Sequence, residues 1–489
     1  MKKKFVSNLI LVLFLNLLIK PLYILGIDAE VLKITEINQP GSYGNYFSLL
    51  SLSFVLNIFL DFGINNFNTR NIAQNNQLIT KHFSGIFSLR LILGFAYLFI
   101  LFIVGVSLGY SNYQIKWLIV LGFNQVLIAI ILFFRSNLSA LLHFKEDSVI
   151  SVTDRLLLII FCGLIIWGGF FENSITIELF ITTQTVAYSL TALISFVLVY
   201  RKTKVFKLTW DLPFFMTIIK KSFPFALLIF LMSIYYYSDA VMLERIHPEG
   251  KIEAASYAFG YRFFMAFNMV GFLFASLLLP IFSKMLKDSQ NIKPLTWLAF
   301  KLIFCFSIIA GSLLWFFSSD ILEWRYQLIG DDLLHATNAL KWLGLSFVAV
   351  SCSYIFGTLL TAKGEMKSLN ILASIGVGIN IILNLILIPI NGAEGAAFAS
   401  MITQFFTLLF QLAIFKKIFG LQLNSKNLFQ LLVFSSLCII IPFYSLDLEI
   451  NWAYSFFLSL IIMSLISLIT QLISIKDSLK LIQEYKSKL

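Results

Sequence analysis

Apolar runs long enough to cross a lipid bilayer follow one another along nearly all of this chain, and the segments between them are short. A membrane-spanning helix takes about 20 mostly apolar residues. Helices are predicted over 5–26, 45–64, 84–108, 116–137, 149–170, 177–200, 222–243, 254–282, 295–317, 336–361, 368–389, 394–415, 427–446 and 452–474, fourteen in all, named below in that order. With 59% of the 489 residues hydrophobic and 12% charged, too little polar surface is left for a water-soluble fold, and disorder is excluded by the same figures. The connectors, Ser318 to His335 among them, are too small for a catalytic module. The fold class is therefore an all-α polytopic membrane protein.

Orientation follows from the Lys and Arg of the connectors. With the N-terminus in the cytoplasm, 24 of the 36 fall in cytoplasmic segments and five in outer ones. An even number of spans puts both Lys-rich termini inside. The net charge of +11 is thus topology, with anionic inner-leaflet lipid as its partner, and a nucleic-acid partner is excluded. Met1-Lys2-Lys3-Lys4 is read as the flank of a first membrane helix, because the apolar run behind it reaches Gly26 with no Ala-x-Ala cleavage site. Asn65 to Gln77 reads as a solvated cytoplasmic connector. Ser478 to Leu489, with Leu479, Ile482, Tyr485 and Leu489 at helical spacing, reads either as an amphipathic surface helix or as a frayed tail.

Signals for bond-making chemistry are missing. There is no GxxxxGK[ST], no HExxH, and no metal or triad spacing among His82, His143, His247 and His335; Cys162, Cys305, Cys352 and Cys438 are scattered in apolar runs. Asp331-Asp332 reads as solvated acid. No catalytic residue, metal or cofactor is expected.

Charges inside spans are the informative residues, since each costs several kcal/mol unless it meets a cavity or a partner. Counting about 1.5 Å per residue puts Lys20, Asp239 and Arg262 at similar depth in the outer half. Asp61, Arg90, Arg135 and Asp154-Arg155 fall near the inner side, where snorkelling and ion pairing account for Arg135, Asp154 and Arg155. Lys20 and Arg262 are too deep to snorkel and are candidates for lining a cavity, with Asp239 as a structural partner or a titrating acid. Tyr257, Tyr261, Phe264 and Asn268 share one face of helix eight, beside Arg262. Such a face suits sugars and phosphates, and a helix–helix seam would give the same pattern. A weak repeat at 214 residues relates helices one and two (Ser42-Tyr43-Gly44) to helices seven and eight (Ser256-Tyr257-Ala258), as in transporters built from parallel halves.

These residues also carry a resemblance. NLLIKPLYILGIDAEV (Asn16 to Val31), YGNYFSLLSLSFVLNIFLDFGINNFNTRNIAQ (Tyr43 to Gln74), YYYSDAVML (Tyr235 to Leu243), SYAFGYRF (Ser256 to Phe263), LLLPIFSKM (Leu277 to Met285) and NIILNLILIPINGAEGAAFAS (Asn380 to Ser400) resemble, in order and spacing, the Wzx-type flippases of the polysaccharide transporter family. The resemblance implies the fold of the multidrug/oligosaccharidyl-lipid/polysaccharide exporter superfamily: two six-helix lobes (1–210 and 211–420) around a central cavity, then two C-terminal helices and a basic tail (421–489). It implies a flippase that moves undecaprenyl-diphosphate-linked oligosaccharide across the bacterial inner membrane by alternating access, for O-antigen, lipopolysaccharide or another surface polysaccharide. A polysaccharide polymerase is a further partner. The substrate-binding candidates carried over are Lys20, Arg262, Tyr257, Tyr261, Asn268 and Arg90. Asp61 and Asp239 are candidates for gating or for coupling to a proton or cation. A cation-coupled drug antiporter of the same fold and a membrane polysaccharide polymerase or ligase stay open as alternatives.

The topology is testable directly. Reporter fusions after Lys207, Lys293 and Lys426 are expected to report cytoplasm, and fusions after Glu249 and Asp332 periplasm. A reversed result at Lys207 would discard the helix assignment for the first half.

Overall fold

The computed structural model describes residues 14–65, 78–141, 143–168, 175–203, 208–420, 425–470 and 472. Met1-Lys2-Lys3-Lys4, most of the Asn65–Gln77 connector and the segment from Ser478 onward lie outside them. The described residues hold helices and no strand. In hydrocarbon every backbone polar group must be satisfied within its own segment, and an open helix bundle does this residue by residue. Each of the fourteen predicted helices has a counterpart. Eleven described helices are long and apolar enough to cross a membrane. One of these, Met366–Phe419, is two helices meeting at Gly392, where φ is 49° and ψ −127°. Helix one is described from Phe14 onward, and helix two is broken.

Helix one does not end at Gly26. It passes through a π-helical turn, Tyr23–Asp28, and continues as Ala29–Asn38. Ala29, Val31, Leu32 and Thr35 of the extension are buried, which offsets the charges that suggested a loop. The chain then reverses at Gly41 (φ 77°), and Glu36 caps the next helix by accepting from the N–H groups of Gly41 and Tyr43 at 2.6 Å and of Gly44 at 3.3 Å.

Helix two runs as Ser42–Val55 and then Ile58–Asp61. At the break Asn57 N–H turns to Phe54 O at 3.1 Å, and Tyr97 of helix three donates its hydroxyl to the Ser53 carbonyl at 2.8 Å. Phe62, at φ 43°, and Gly63, at φ 77°, end the helix in left-handed backbone.

Packing divides the chain into two compact units, Met1–Arg245 and Ile246–Leu489. In the first, Phe83, Phe133 and Phe134 centre an apolar cluster that also takes Ile150, Val199, Phe215 and Ile218 from helices five, six and seven. Helix seven (Leu212–Ile246), which the repeat groups with the second lobe, thus packs here. Its Tyr237 stacks on Phe54 at 4.7 Å, and its last turn is held by Arg245, which donates to Leu108 O at 3.0 Å and lies over the Tyr110 ring.

In the second unit helix ten (Gly330–Lys363) packs against helices eight (Gly250–Lys287), nine (Lys293–Phe316) and eleven. Close approach needs small residues, because lipid offers no hydrophobic drive for association. A Cβ on Gly260 would stand 3.1 Å from Leu340 Cα, and one on Gly311 would stand 2.9 Å from the Gly344 carbonyl. The helix eleven–twelve turn is tied to helix eight by Glu253, which accepts from Ala393 N–H at 2.6 Å and is 2.8 Å from His335 Nδ1. A side chain at Gly392 would collide with that same carboxylate. Gly392→Ala therefore combines left-handed strain with a clash, and is expected to cost about 1–3 kcal/mol. Gly378→Ala, where nothing lies within 4 Å of the added carbon, is expected to leave the melting temperature of the purified protein unchanged. Equal melting temperatures for the two variants would refute the account.

Candidate functional site

The first unit carries a cluster of charges on helices one, four and five. Helix five (Phe144–Trp167) runs beside helix one, with Asn16 Nδ2 donating to Ser151 Oγ at 3.0 Å. One turn further on, Lys20 comes within electrostatic reach of Arg155, Arg135 and Asp154. Because helix one extends to Asn38, Lys20 lies away from the outer end where the span count put it. Arg155 is no snorkelling residue at a helix start. It sits about 16 Å into helix five, with its guanidinium 4.9 Å from the Tyr23 ring centre and 5.6 Å from that of Tyr188. Its Nη1 donates to the Tyr188 hydroxyl at 2.7 Å, while the Asp154 carboxylate stands at 3.6 Å. Arg135 is held by Asp147, Nε to Oδ1 at 2.8 Å. Beyond Tyr23, the buried Asp28 accepts from the Tyr43 hydroxyl at 2.8 Å.

Arg90 and Asp61 are brought together, with each other. Arg90 is 2% exposed; its Nη2 donates to Asp61 Oδ1 at 2.5 Å and to Asn65 Oδ1 at 2.7 Å, and Nη1 reaches Leu60 O at 3.4 Å. Its guanidinium lies 5.5 Å from the Phe133 ring centre, at the apolar cluster. This geometry holds the end of the broken helix two against helix three (Leu78–Ser107) and leaves little of Arg90 for a substrate. Asp239, in helix seven of the first unit, is 1% exposed.

Arg262 belongs to the second unit, is buried, and directs Nη1 toward Met265 Sδ at 3.5 Å. Tyr257, Tyr261 and Phe264 form a stacked ladder with successive centroids 5.5 Å apart. All three are buried, so this face of helix eight meets protein, and Asn268 on the next turn is half-buried.

Phe263 and Phe267, elsewhere around helix eight, line a cavity of about 660 Å³ whose other walls are helix nine, the short helix Ser318–Tyr326 and helix fourteen (Trp452–Ile469). Its lining is apolar apart from Ser464, and Trp324 and Trp452 stand together at 6.2 Å on its wall. Sequence reasoning missed this cavity, Asp28 and the depth of Arg155. The Asp154-Arg155 pair was visible, but its depth depends on where helix five begins. Among the described residues no group of His, Cys, Asp and Glu could hold a metal ion.

The profile of polysaccharide biosynthesis proteins matches residues 35–286, more than half of the chain. The chain belongs to that family. The MatE profile matches residues 224–386. Among solved structures, a lipid II flippase MurJ in an inward closed conformation is similar over 97% of this chain and 100% of its own, with a TM-score of 0.74 at 18% identity. An inward-facing multidrug resistance MATE transporter of the MOP superfamily is similar over 84% of this chain and 96% of its own, with a TM-score of 0.59 at 14% identity. The Vibrio cholerae MATE transporter VcmN in its bent form is similar over 85% and 98%, with a TM-score of 0.55 at 12% identity. No curated protein sequence matches the chain significantly. This polysaccharide biosynthesis protein thus has the MOP-superfamily fold.

Removing one side of a buried ion pair costs about 3–5 kcal/mol, and less where the survivor can be hydrated. Asp61 is 27% exposed in its side chain and Arg90 is 1% exposed. Asp61→Asn, which strands the buried cation, is therefore expected to destabilise the protein more than Arg90→Ala relative to the contacts each deletes. Thermal melting of the purified variants checks the order, and an Arg90→Ala variant destabilised more than Asp61→Asn would refute it.

Proposed function

We propose that this protein is a flippase that carries undecaprenyl-diphosphate-linked oligosaccharide from the inner to the outer leaflet of the bacterial inner membrane, by alternating access, for a surface polysaccharide. Membership of the polysaccharide biosynthesis family supports the pathway. The observation that carries the substrate class is the apolar cavity of the second unit. A lipid-linked glycan has a diphosphate and sugars that cannot enter about 30 Å of hydrocarbon without partners, together with a polyprenyl chain that needs none. The cavity walled by Phe263, Phe267, Phe306, Phe456 and Trp452 suits the chain. Lys20, half-buried in the first unit, and in the second unit the buried Arg262 with Tyr257, Tyr261 and Asn268 are each candidates for contact with the polar part. No covalent bond changes, so the protein is not an enzyme. Coupling to a proton or cation falls to Asp239, because Asp61 is engaged by Arg90.

A cation-coupled antiporter of small molecules is the second reading, favoured by the MatE match and by the buried Asp28 and Asp239. The MatE match ends at residue 386, ahead of the helix that forms one wall of the cavity. Deleting the gene is expected to leave lipid-linked glycan accumulating on the inner leaflet and surface polysaccharide missing. Normal surface glycan with raised sensitivity to toxic cations would support the antiporter. Failure to assemble the glycan, or its display as single unpolymerised units, would indicate an enzyme.

A further inference from the structure

We propose that Gln114, Asn45, Glu244 and Arg245 form a polar lock that holds the last turn of helix seven against the rest of the first unit, and that this lock opens in every transport cycle. The proposal rests on the alternating-access reading for its place in a cycle, and on hydrogen bonds and burial for the lock itself.

Gln114 is the hub. It stands in the first turn of helix four (Asn112–Ala140) and is buried. Its Nε2 donates to Asn45 Oδ1 of helix two at 2.8 Å and to Glu244 Oε1 of helix seven at 3.1 Å. Its Oε1 accepts from Ser111, from the backbone N–H at 3.1 Å and the hydroxyl at 3.2 Å. The second oxygen of Glu244 accepts from Arg245 Nε at 2.8 Å. Arg245 carries the chain of bonds on to the turn between helices three and four, through Leu108 O and the Tyr110 ring. One set of side chains thus ties helix seven to two other helices and a turn.

The chemistry is that of a lock that can open. The Glu244 side chain is 3% exposed, so its carboxylate stays out of water only while its donors are in place. These groups stand at the mouth of the bundle, which the connector charges assign to the outer side. Water there can take over each bond when helix seven moves away, so opening exchanges hydrogen bonds and abandons none. An apolar seal in the same place would have to expose its surface to water each time.

Position in the chain points the same way. The first unit ends at Arg245. The turn His247-Pro248-Glu249 then leads into helix eight of the second unit. A pull transmitted through that turn reaches Arg245 and Glu244 before any other part of the first unit. One turn beyond Asn45 on helix two, Ser48 is fully buried, and an open lock would uncover it.

The test uses the full chain in membranes, with introduced cysteines as reporters; the four native cysteines are buried. Gln114→Cys and Glu244→Cys are bridged by a short bis-methanethiosulfonate. Bridging is expected to stop export of surface glycan at unchanged membrane abundance, and a reductant to restore it. Should the unbridged pair fail to export, Phe54→Cys with Tyr237→Cys, a stacked pair that joins helices two and seven, takes its place. A second readout needs no export. Ser48→Cys is expected to react with a membrane-impermeant maleimide about tenfold faster when Gln114→Ala is added, and by a smaller factor with Glu244→Gln. Labelling of Ser48→Cys that is no faster with Gln114→Ala would overturn the lock. Undiminished export from the bridged protein would also overturn it, and would leave the flippase standing. Faster labelling in a protein whose gene deletion spares surface glycan keeps the lock and removes the flippase.

Discussion

A charge placed in hydrocarbon must find a partner, and the structure of this chain is organised around the places where that demand is met. Arg90 meets it by reaching Asp61, Asn65 and the Leu60 carbonyl at once, which binds a broken helix end to its neighbour. Arg155 meets it with two tyrosine rings from helices one and six. Glu253 meets it with a backbone N–H at a left-handed glycine and a histidine nitrogen. Each solution joins elements far apart in sequence, so the polar residues hold the bundle together where apolar contacts cannot choose a partner.

Between those points the helices are brought close by what they lack. With lipid as apolar as leucine, packing depends on contact area, and glycine against backbone gives the closest contact. Gly260 lies against Leu340, and Gly311 against Gly344, along the helix that gathers its unit. In the first unit phenylalanine plays the complementary part, filling the space among helices three to seven. The family and fold comparisons agree with this architecture, yet at 12–18% identity they speak of the fold alone. Function has to be read from sites.

The two units differ in the chemistry that they bury. Cations with aromatic flanks are gathered in the first unit, and an apolar cavity walled by phenylalanine and tryptophan lies in the second.

Much of the fold was legible in the sequence, because transfer into hydrocarbon is close to a sum over neighbouring residues. The run lengths give the helices, and even the buried helix turn at Gly392 shows as Asn391-Gly392-Ala393 between two apolar runs. The extension of helix one past Gly26 was not legible, since Asp28, Glu30, Lys33 and Glu36 read as a loop until Tyr43 and the capped N–H groups are there to receive them. For the same reason the candidate residues were found more readily than their roles. Arg90 and Asp61 were both singled out, and only folding showed that they serve each other across 29 positions. Arg155 looked interfacial, and Lys20 looked isolated. Their meeting depends on the rotational phase and vertical offset of two helices that Asn16 and Ser151, 135 positions apart, tie together. Hydropathy determines which segments enter the membrane; which charges then face one another is decided only when the helices have packed, because that is a property of pairs of surfaces and of no single stretch of chain.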